Sequence, residues 1–321
     1  MPLTTPIPPL LFDDPIAAYD QLAATIPAGG KYVQEFDYSI VELPQLTTAK
    51  YLEDSFPKSP VTDFDGDLDS WQIAQGLLGA CGTFAQIACY ASFPQASPFA
   101  VENGIYPLTP SPIGLYLIRV CDPANPMSMK WVAIDSRVPC EDKLTSKSPC
   151  IYLTDGKTPL LPALLTKAAA TMRGGSFNEI TNHPSFKIKF TWFPAKVITS
   201  SVASELVKLA ASGAIWVTSM TQQYDALGNK ITPKGVVYGH AFGIVDAIEG
   251  DGYQLFRIEN PWGGGSDFIS QYSDDAPFWS EHPELAQKKA DSFAATGNYW
   301  VDFETLKKLS GKTSFNLTIP S

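Results

Sequence analysis

Two alternating runs, "HAFGIVDAI" (240–248) and "YQLFRIEN" (253–260), flank the turn text "EGDG" (249–252). Apolar and polar residues that alternate with period two on either side of a glycine-containing turn describe an antiparallel hairpin. Folding it about Gly250 and Asp251 pairs residues whose numbers sum to about 500 or 501, which sets His240 across from Asn260 or its neighbour. Opposed side chains in such a ladder lie roughly 5 Å apart at Cβ, close enough for an amide to orient an imidazole. Neither residue type is favoured inside a strand, so the pairing stands out against the apolar text around it. Pro261 restricts Asn260 to extended angles, and Trp262 offers a large apolar cover that would keep water from the pair. A strand-ending turn also explains the proline and glycines of "NPWGGG", though not the histidine opposite.

The hairpin belongs to a β-rich second half. A helix, "SVASELVKLAAS", leads into "AIWVTSM", and "VVYGHAFGIVDAI", "YQLFRIENPW" and "GNYWVDF" read as strands. The first half has a different texture. Phe84, Ile87, Ala88 and Ala91 recur at i, i+3, i+4 and i+7, which predicts a helix with Cys81 in its first turn. "PLLPALLTKAAATM" predicts a second helix, stopped by Arg173, Gly174 and Gly175. "IGLYLIRVCD" and "MKWVAIDSRVP" read as two strands joined by the turn "PANPMS". The lobe boundary falls near residue 190, giving an α+β chain: an N-terminal extension (1–58), a helical lobe (59–190) and a β-rich lobe (191–321). The extension is Pro-rich and carries a short helix, "DPIAAYDQLAATI", with Asp14 as N-cap.

A cysteine at a helix start feels the positive end of the macrodipole, which favours thiolate over thiol. A buried thiol is the commoner role for free cysteine, so Cys81 becomes a nucleophile candidate only if a base is found. His183 and His282 each precede proline in polar text, as surface turn histidines do, which leaves His240. Gln75, six residues before Cys81 on a glycine-containing loop, can bend its amide back beside the Cys81 N–H. Two donors aimed at one carbonyl oxygen are what acyl transfer needs. The order Gln, Cys, His, Asn is that of papain-like enzymes.

"QGLLGACGTFAQIA" resembles the catalytic stretch of calpains, and "YGHAFGIVDA" and "RIENPWG" resemble their histidine and asparagine segments. "WVAIDSRVP", "LLTKAAATMRGGSFNEI" and "GNYWVDFETLKK" match further calpain segments in order, so the resemblance runs from about 60 to 310. It implies a papain-like fold of two lobes with an active cleft between them, and an intracellular cysteine endopeptidase activity. By position, Cys81 would be nucleophile, His240 general base and then acid, Asn260 the orienting residue and Gln75 the oxyanion donor. Gly239 and Gly175 would match the glycines that hydrogen-bond substrate backbone, beside Trp262. The chain departs from the family at Ala80 and Gly82, where an acidic residue and a tryptophan are usual. Gln72, Ser266 and "TGNYW" replace residues of acidic calcium sites. The resemblance, so altered, implies activity without calcium, with the alternating Asp63, Asp65, Asp67 and Asp69 as a reservation.

Composition removes several other classes. A net charge of -10 with no Lys/Arg run gives no attractive field for phosphate backbones, so no nucleic acid is expected as partner. No stretch is apolar enough to span a membrane, and the first residues lack a signal or transit pattern, so a cytoplasmic location is expected. The five cysteines, Cys81, Cys89, Cys121, Cys140 and Cys150, form no paired pattern and read as reduced thiols. The partner expected is a protein or peptide substrate, with no cofactor. Two other readings share these residues: a calpain-fold binding or scaffold protein without catalysis, and an acyltransferase or isopeptidase using the same Cys, His and Asn.

Overall fold

The computed structural model describes residues 8–38, 48–61, 78–91, 104–140, 160–180, 195–214, 216–224, 230–231, 236–262, 270–291 and 298–320, and mixes helix with sheet. The chain divides into two compact units: Met1–Gly66, Ile73–Thr83 and Ser97–Pro194 form the first, and Asp67–Gln72, Phe84–Ala96 and Ala195–Ser321 the second.

The first unit contains β1 (Leu11–Phe12), α1 (Pro15–Ala23), β2 (Thr48–Tyr51) and α2 (Leu52–Ser55). After α3 (Cys81–Ala91), whose first three residues belong here, come β3 (Ile105–Tyr106), β4 (Leu115–Asp122), β5 (Asn125–Asp135), β6 (Arg137–Cys140) and α4 (Leu161–Met172). The unit is therefore mixed rather than helical. A four-stranded antiparallel sheet runs β1-β5-β4-β3, and β2 pairs with β6. β4 is buried on both faces from Leu115 to Ile118, which is why that stretch is continuously apolar instead of alternating. Leu115 and Leu117 pack with Ala18 of α1, while α4 lies against β4 and β5. The turn expected over "PANPMS" is only Pro123 and Ala124, because Asp122 Oδ1 accepts from Ala124 N at 2.8 Å and closes it early.

Residues 31–38 thread over this sheet. Asp135 accepts from Gln34 N (2.7 Å), from the Tyr38 hydroxyl (2.8 Å) and from the guanidinium of Arg137, and is bridged to the Lys167 ammonium of α4. Burial pushes the Asp135 carboxyl up, but the charge of Lys167 and the hydrogen bonds from Arg137 and Lys167 outweigh it and hold the group low. Lys167, wholly buried, also donates to Tyr38 Oη and Arg137 O. Two formal charges survive in this interior because each is met by several partners.

The second unit contains β7 (Ala195–Ser200), α5 (Ala203–Ala211), β8 (Trp216–Ser219), β9 (Gln223–Tyr224), β10 (Lys230–Ile231), β11 (Ala241–Gly250) and β12 (Tyr253–Glu259). These are followed by α6 (Phe278–Glu281), α7 (Pro283–Asp291), β13 (Asn298–Asp302), α8 (Phe303–Ser310) and β14 (Phe315–Pro320). Its main sheet is antiparallel in the order β13-β12-β11-β8, and β7 pairs with β14. One core gathers Trp216, Phe242, Ile244, Phe256 and Ile258 with Leu206 of α5 and Leu306 of α8. A second gathers Ile248, Leu255 and Trp300 with Trp279 of α6 and Leu285 of α7. Asp302 caps α8 through Thr305 N at 2.7 Å, and Gly311 ends that helix at φ 65°.

The later part of α3 docks on this unit. Cys89 Sγ donates to the carbonyls of Trp216 (3.2 Å) and Ile244 (3.6 Å), and Phe84 and Ile87 are fully buried. Each such apolar side chain contributes about 1.5–3 kcal/mol. Gly243 of β11 makes the approach possible: a Cβ there would stand 2.7 Å from Cys89 Sγ and 3.0 Å from Ala85 O.

Candidate active site

The β11–β12 hairpin turns on Asp251 (φ 51°) and Gly252 (φ 81°), two consecutive positive-φ residues as in the tight turn that matches strand twist. Gly250 therefore pairs with Tyr253, and the numbers of paired residues sum to 503 as far as Asp246 and Arg257. The expected sum of 500 or 501 placed the turn too early. Val245 is then bulged, and Ile244↔Ile258 and Gly243↔Glu259 sum to 502.

That single extra residue decides which way the side chains point. Continuing the register past the bulge sets Asn260 across from Phe242, whose side chain shares a face with that of His240 two residues earlier. Without the bulge Asn260 would face Gly243, and His240 would lie on the other side. The pair thus meets diagonally instead of directly, a separation that an imidazole and an amide can bridge. His240 Nε2 is 2.9 Å from Asn260 Oδ1. The main chain of His240 is pinned to the loop after β8, with Met220 N donating to His240 O (3.2 Å) and Gly239 N donating to Met220 O (3.0 Å).

Asn260 Oδ1 also accepts from Trp262 N at 3.1 Å. An oxygen that receives one N–H on this side requires its other partner to be a donor, so Nε2 carries the imidazole proton and Nδ1 the lone pair. His240 and Asn260 are each 5% exposed. Burial pulls the imidazole below its ordinary pKa, with the Asn260 hydrogen bond opposing the shift, so the ring is neutral and basic near pH 7. The Trp262 ring stands 4.4 Å from the imidazole at a 40° tilt, and Phe242 meets it edge-on at 5.0 Å. Trp262 itself is 46% exposed, so it roofs the pair from the solvent side. Gly239 has φ 71°, and among the described residues nothing lies within 4 Å of a Cβ built on it.

Cys81 is the first residue of α3, a free and partly exposed thiol, following the buried Leu78 and Ala80. It stands where the helix N–H groups have no intrahelical acceptor. Gly175 follows α4 with φ 77°. Both its backbone groups are engaged: its N–H donates to Ala170 O (3.1 Å) and its carbonyl accepts from Asp37 N (2.7 Å). Gln75, Gln72, Ser266, His183 and the Asp63 to Asp69 stretch lie outside the described residues.

Two features escaped sequence reading. His282 is more than a turn histidine, since Nδ1 contacts Asp251 Oδ2 at 3.1 Å and its ring lies 4.4 Å from Phe278, bracing the hairpin turn. Glu259, directly before Asn260, is 6% exposed. Burial pushes its carboxyl up to about 7, against the opposing charge of Arg257. Among the described residues no three His, Cys, Asp or Glu side chains gather as a metal-binding group, and no helix is long and apolar enough to cross a membrane.

Residues 56–313 match the family model described as "Calpain family cysteine protease". Among curated proteins, the calpain-type cysteine protease DEK1 of Zea mays is 25% identical over 261 residues, covering 75% of this chain and 11% of that protein. The calpain-like protease palB of Emericella nidulans is 24% identical over 280 residues, 81% of this chain and 30% of its own length. Calpain-B of Drosophila melanogaster is 27% identical over 194 residues, 54% of this chain and 20% of its own. The chain thus spans between a tenth and a third of the length of these relatives.

Proposed function

Because the chain belongs to the calpain family of cysteine proteases, we propose that it is an endopeptidase working through Cys81, His240 and Asn260 on a papain-like framework of two lobes. The observation that carries this reading is the 2.9 Å contact between His240 Nε2 and Asn260 Oδ1, which leaves Nδ1 as the basic nitrogen. In the proposed cycle Nδ1 accepts the Cys81 proton and the thiolate attacks the peptide carbonyl. The Cys81 N–H and the Gln75 amide hold the resulting oxyanion. The imidazolium returns its proton to the departing amine, leaving an acyl-enzyme. Water, deprotonated by His240, then releases the acid and restores the thiol. Asn260 keeps the ring in one orientation throughout, and Trp262 shields its hydrogen bond.

Gly239 supports an extended peptide beside the imidazole, because among the described residues nothing lies within 4 Å of where its side chain would stand. A substrate role for Gly175 requires one of its two internal hydrogen bonds to exchange. The usual acidic calcium ligands are not matched at Gln72 and Ser266, so the proposed activity needs no calcium and no other cofactor. The proposed setting is cytoplasmic, with protein or peptide as the partner and neither nucleic acid nor membrane.

The test is to incubate the full chain with a peptide library, with and without a calcium chelator, beside Cys81→Ala. Cleavage in the chelator that disappears in Cys81→Ala is the expected result. Cleavage that stops on chelation and returns with calcium would overturn calcium independence. Iodoacetamide labelling concentrated at Cys81 and lost in His240→Ala is expected of an activated thiolate. No preferential labelling and no cleavage would favour a scaffold, and transfer of the acyl group to added amines instead of water would favour an acyltransferase.

A further inference from the structure

A carboxyl group that the proposed cycle does not use is buried at the end of the strand that presents Asn260. Glu259 is the last residue of β12, paired with Gly243 on β11 and Asn298 on β13, so it sits inside the sheet and not at an edge. Its cross-strand partner Gly243 is the point where α3 touches the sheet, its missing side chain taken up by Cys89 Sγ and Ala85 O. Paired residues of a ladder project to the same face, so the Glu259 side chain flanks the same contact from β12. The two groups sense each other: burial, and after it the Glu259 charge, push the Cys89 thiol up.

Among the described residues, few groups face this carboxyl. On its own strand there is Arg257, whose ladder partner on β11 is Asp246; from α3 there is Cys89, whose thiol donates to two carbonyls and stays protonated. From β13, Trp300 stands across from Arg257 and carries no charge. Arg257 opposes the upward push of burial without overcoming it.

We propose that Glu259 is a proton-operated latch: as the neutral acid it lets α3 sit on β11 at Gly243, and its ionisation loosens that contact and the adjoining Asn260. A carboxylate whose burial outweighs the opposing charge of Arg257 calls for hydration once ionised, and the route to water is local separation of helix and sheet. The proton goes to solvent and no other bond changes. Glu259 acts here as a positioning residue, because it reaches His240 only through Asn260. Only its effect on turnover rests on the protease reading; the loosening itself does not.

Cys89 is the reporter, since its thiol is closed off while α3 is seated. The experiment uses the full chain as Cys81→Ala, with and without Glu259→Gln, and follows methyl methanethiosulfonate labelling of Cys89 by peptide mapping from pH 5 to 9. The thiolate fraction rises alike in both proteins and cancels in the ratio of their rates. A group ionised in the open state from about pH 4.5 but in the seated state only near 7 drives opening over that interval alone. The ratio of parent to Glu259→Gln is therefore expected to rise roughly tenfold per pH unit up to about 7 and to level off above it. A ratio that stays constant from pH 5 to 9 overturns the latch.

Should Glu259→Gln not fold, infrared spectra of the parent serve instead. A protonated carboxyl band present at pH 6 and gone by pH 8.5 is expected, and its absence at pH 6 overturns the proposal. With Cys81 restored, peptide cleavage by Glu259→Gln should hold between pH 7 and 8.5 where the parent declines. Absence of cleavage at every pH, with the labelling ratio as expected, would refute the protease reading and leave the latch standing.

Discussion

Replacing Asn260 by alanine tests the arrangement of the pair without presupposing any activity. The substitution removes the one oxygen that accepts both His240 Nε2 at 2.9 Å and Trp262 N at 3.1 Å. Leaving a buried donor unmet costs about 1–3 kcal/mol, so two donors give roughly 2–6 kcal/mol of lost stability, less whatever water enters the cavity. The imidazole changes in a direction of its own. The Asn260 hydrogen bond favours the charged ring against burial, and that support is lost, so His240 must titrate at lower pH in Asn260→Ala. Because Oδ1 also accepts from the neutral ring, only the difference between the two bonds counts, about 1 kcal/mol, or roughly a fivefold rise in the acid dissociation constant. Proton NMR of the imidazole C–H signals measures this, with His183 and His282 as the only other histidines and as internal standards. If the ring also needs Asn260 for its orientation, kcat/KM for peptide falls about tenfold to hundredfold, the equivalent of one or two hydrogen-bond energies. A His240 titration that stays in place or moves to higher pH would refute the assigned acceptor role of Oδ1.

Lys167→Met strands Asp135 opposite Arg137 and removes three hydrogen-bond partners at once, so a loss of about 3–5 kcal/mol is expected in urea unfolding at pH 7; a loss under 1 kcal/mol would show that the bridge is not enclosed. The same carboxyl is held low in the fold, so the stability it contributes is complete above the ordinary aspartate range and is lost as pH falls through its folded value. Lys167→Met should accordingly flatten the acid limb of stability against pH. Gly243→Ala pushes a methyl group to 2.7 Å from Cys89 Sγ and 3.0 Å from Ala85 O, so about 1–3 kcal/mol is lost, and Cys89→Ala in the same chain should restore only part, since the backbone oxygen remains. Asp14→Ala removes the acceptor for Ile16 N and Ala17 N, and thermal unfolding should report a loss of about 1 kcal/mol.

Local chemistry made the helices legible. Asp14 before Pro15 announces α1, the spacing of Phe84, Ile87 and Ala88 announces α3, and Gly174 and Gly175 mark where α4 stops. The hairpin was visible as two runs about a turn, but its register was not. Positive φ at Asp251 and Gly252 displaces the turn by a residue, and a bulge at Val245 has no mark in a run of apolar residues. Association of His240 with Asn260 was legible because both are uncommon in strands; their diagonal geometry was not. Contacts across long separations left no local trace at all. Gln34 N reaches Asp135 across 101 positions, which is why residues before 58 read as an extension although they are woven into the first unit. Glu259 was hidden for the opposite reason, because a polar residue at the end of a strand reads as a solvent-facing position, whereas here it is buried opposite Gly243, where α3 meets β11.

The bulge at Val245 gives this hairpin something like a reading frame. Strand geometry counts residues modulo two, so a change in chain length between the turn and His240 acts by its parity and not by its size. Excising one residue, Val245, would leave every side chain of the pair present and still turn the imidazole and the amide to opposite sides of the sheet. Removing two would shorten the strand yet keep them facing together. In a lineage that diverges by small insertions and deletions, this stretch would therefore record even steps and lose the odd ones.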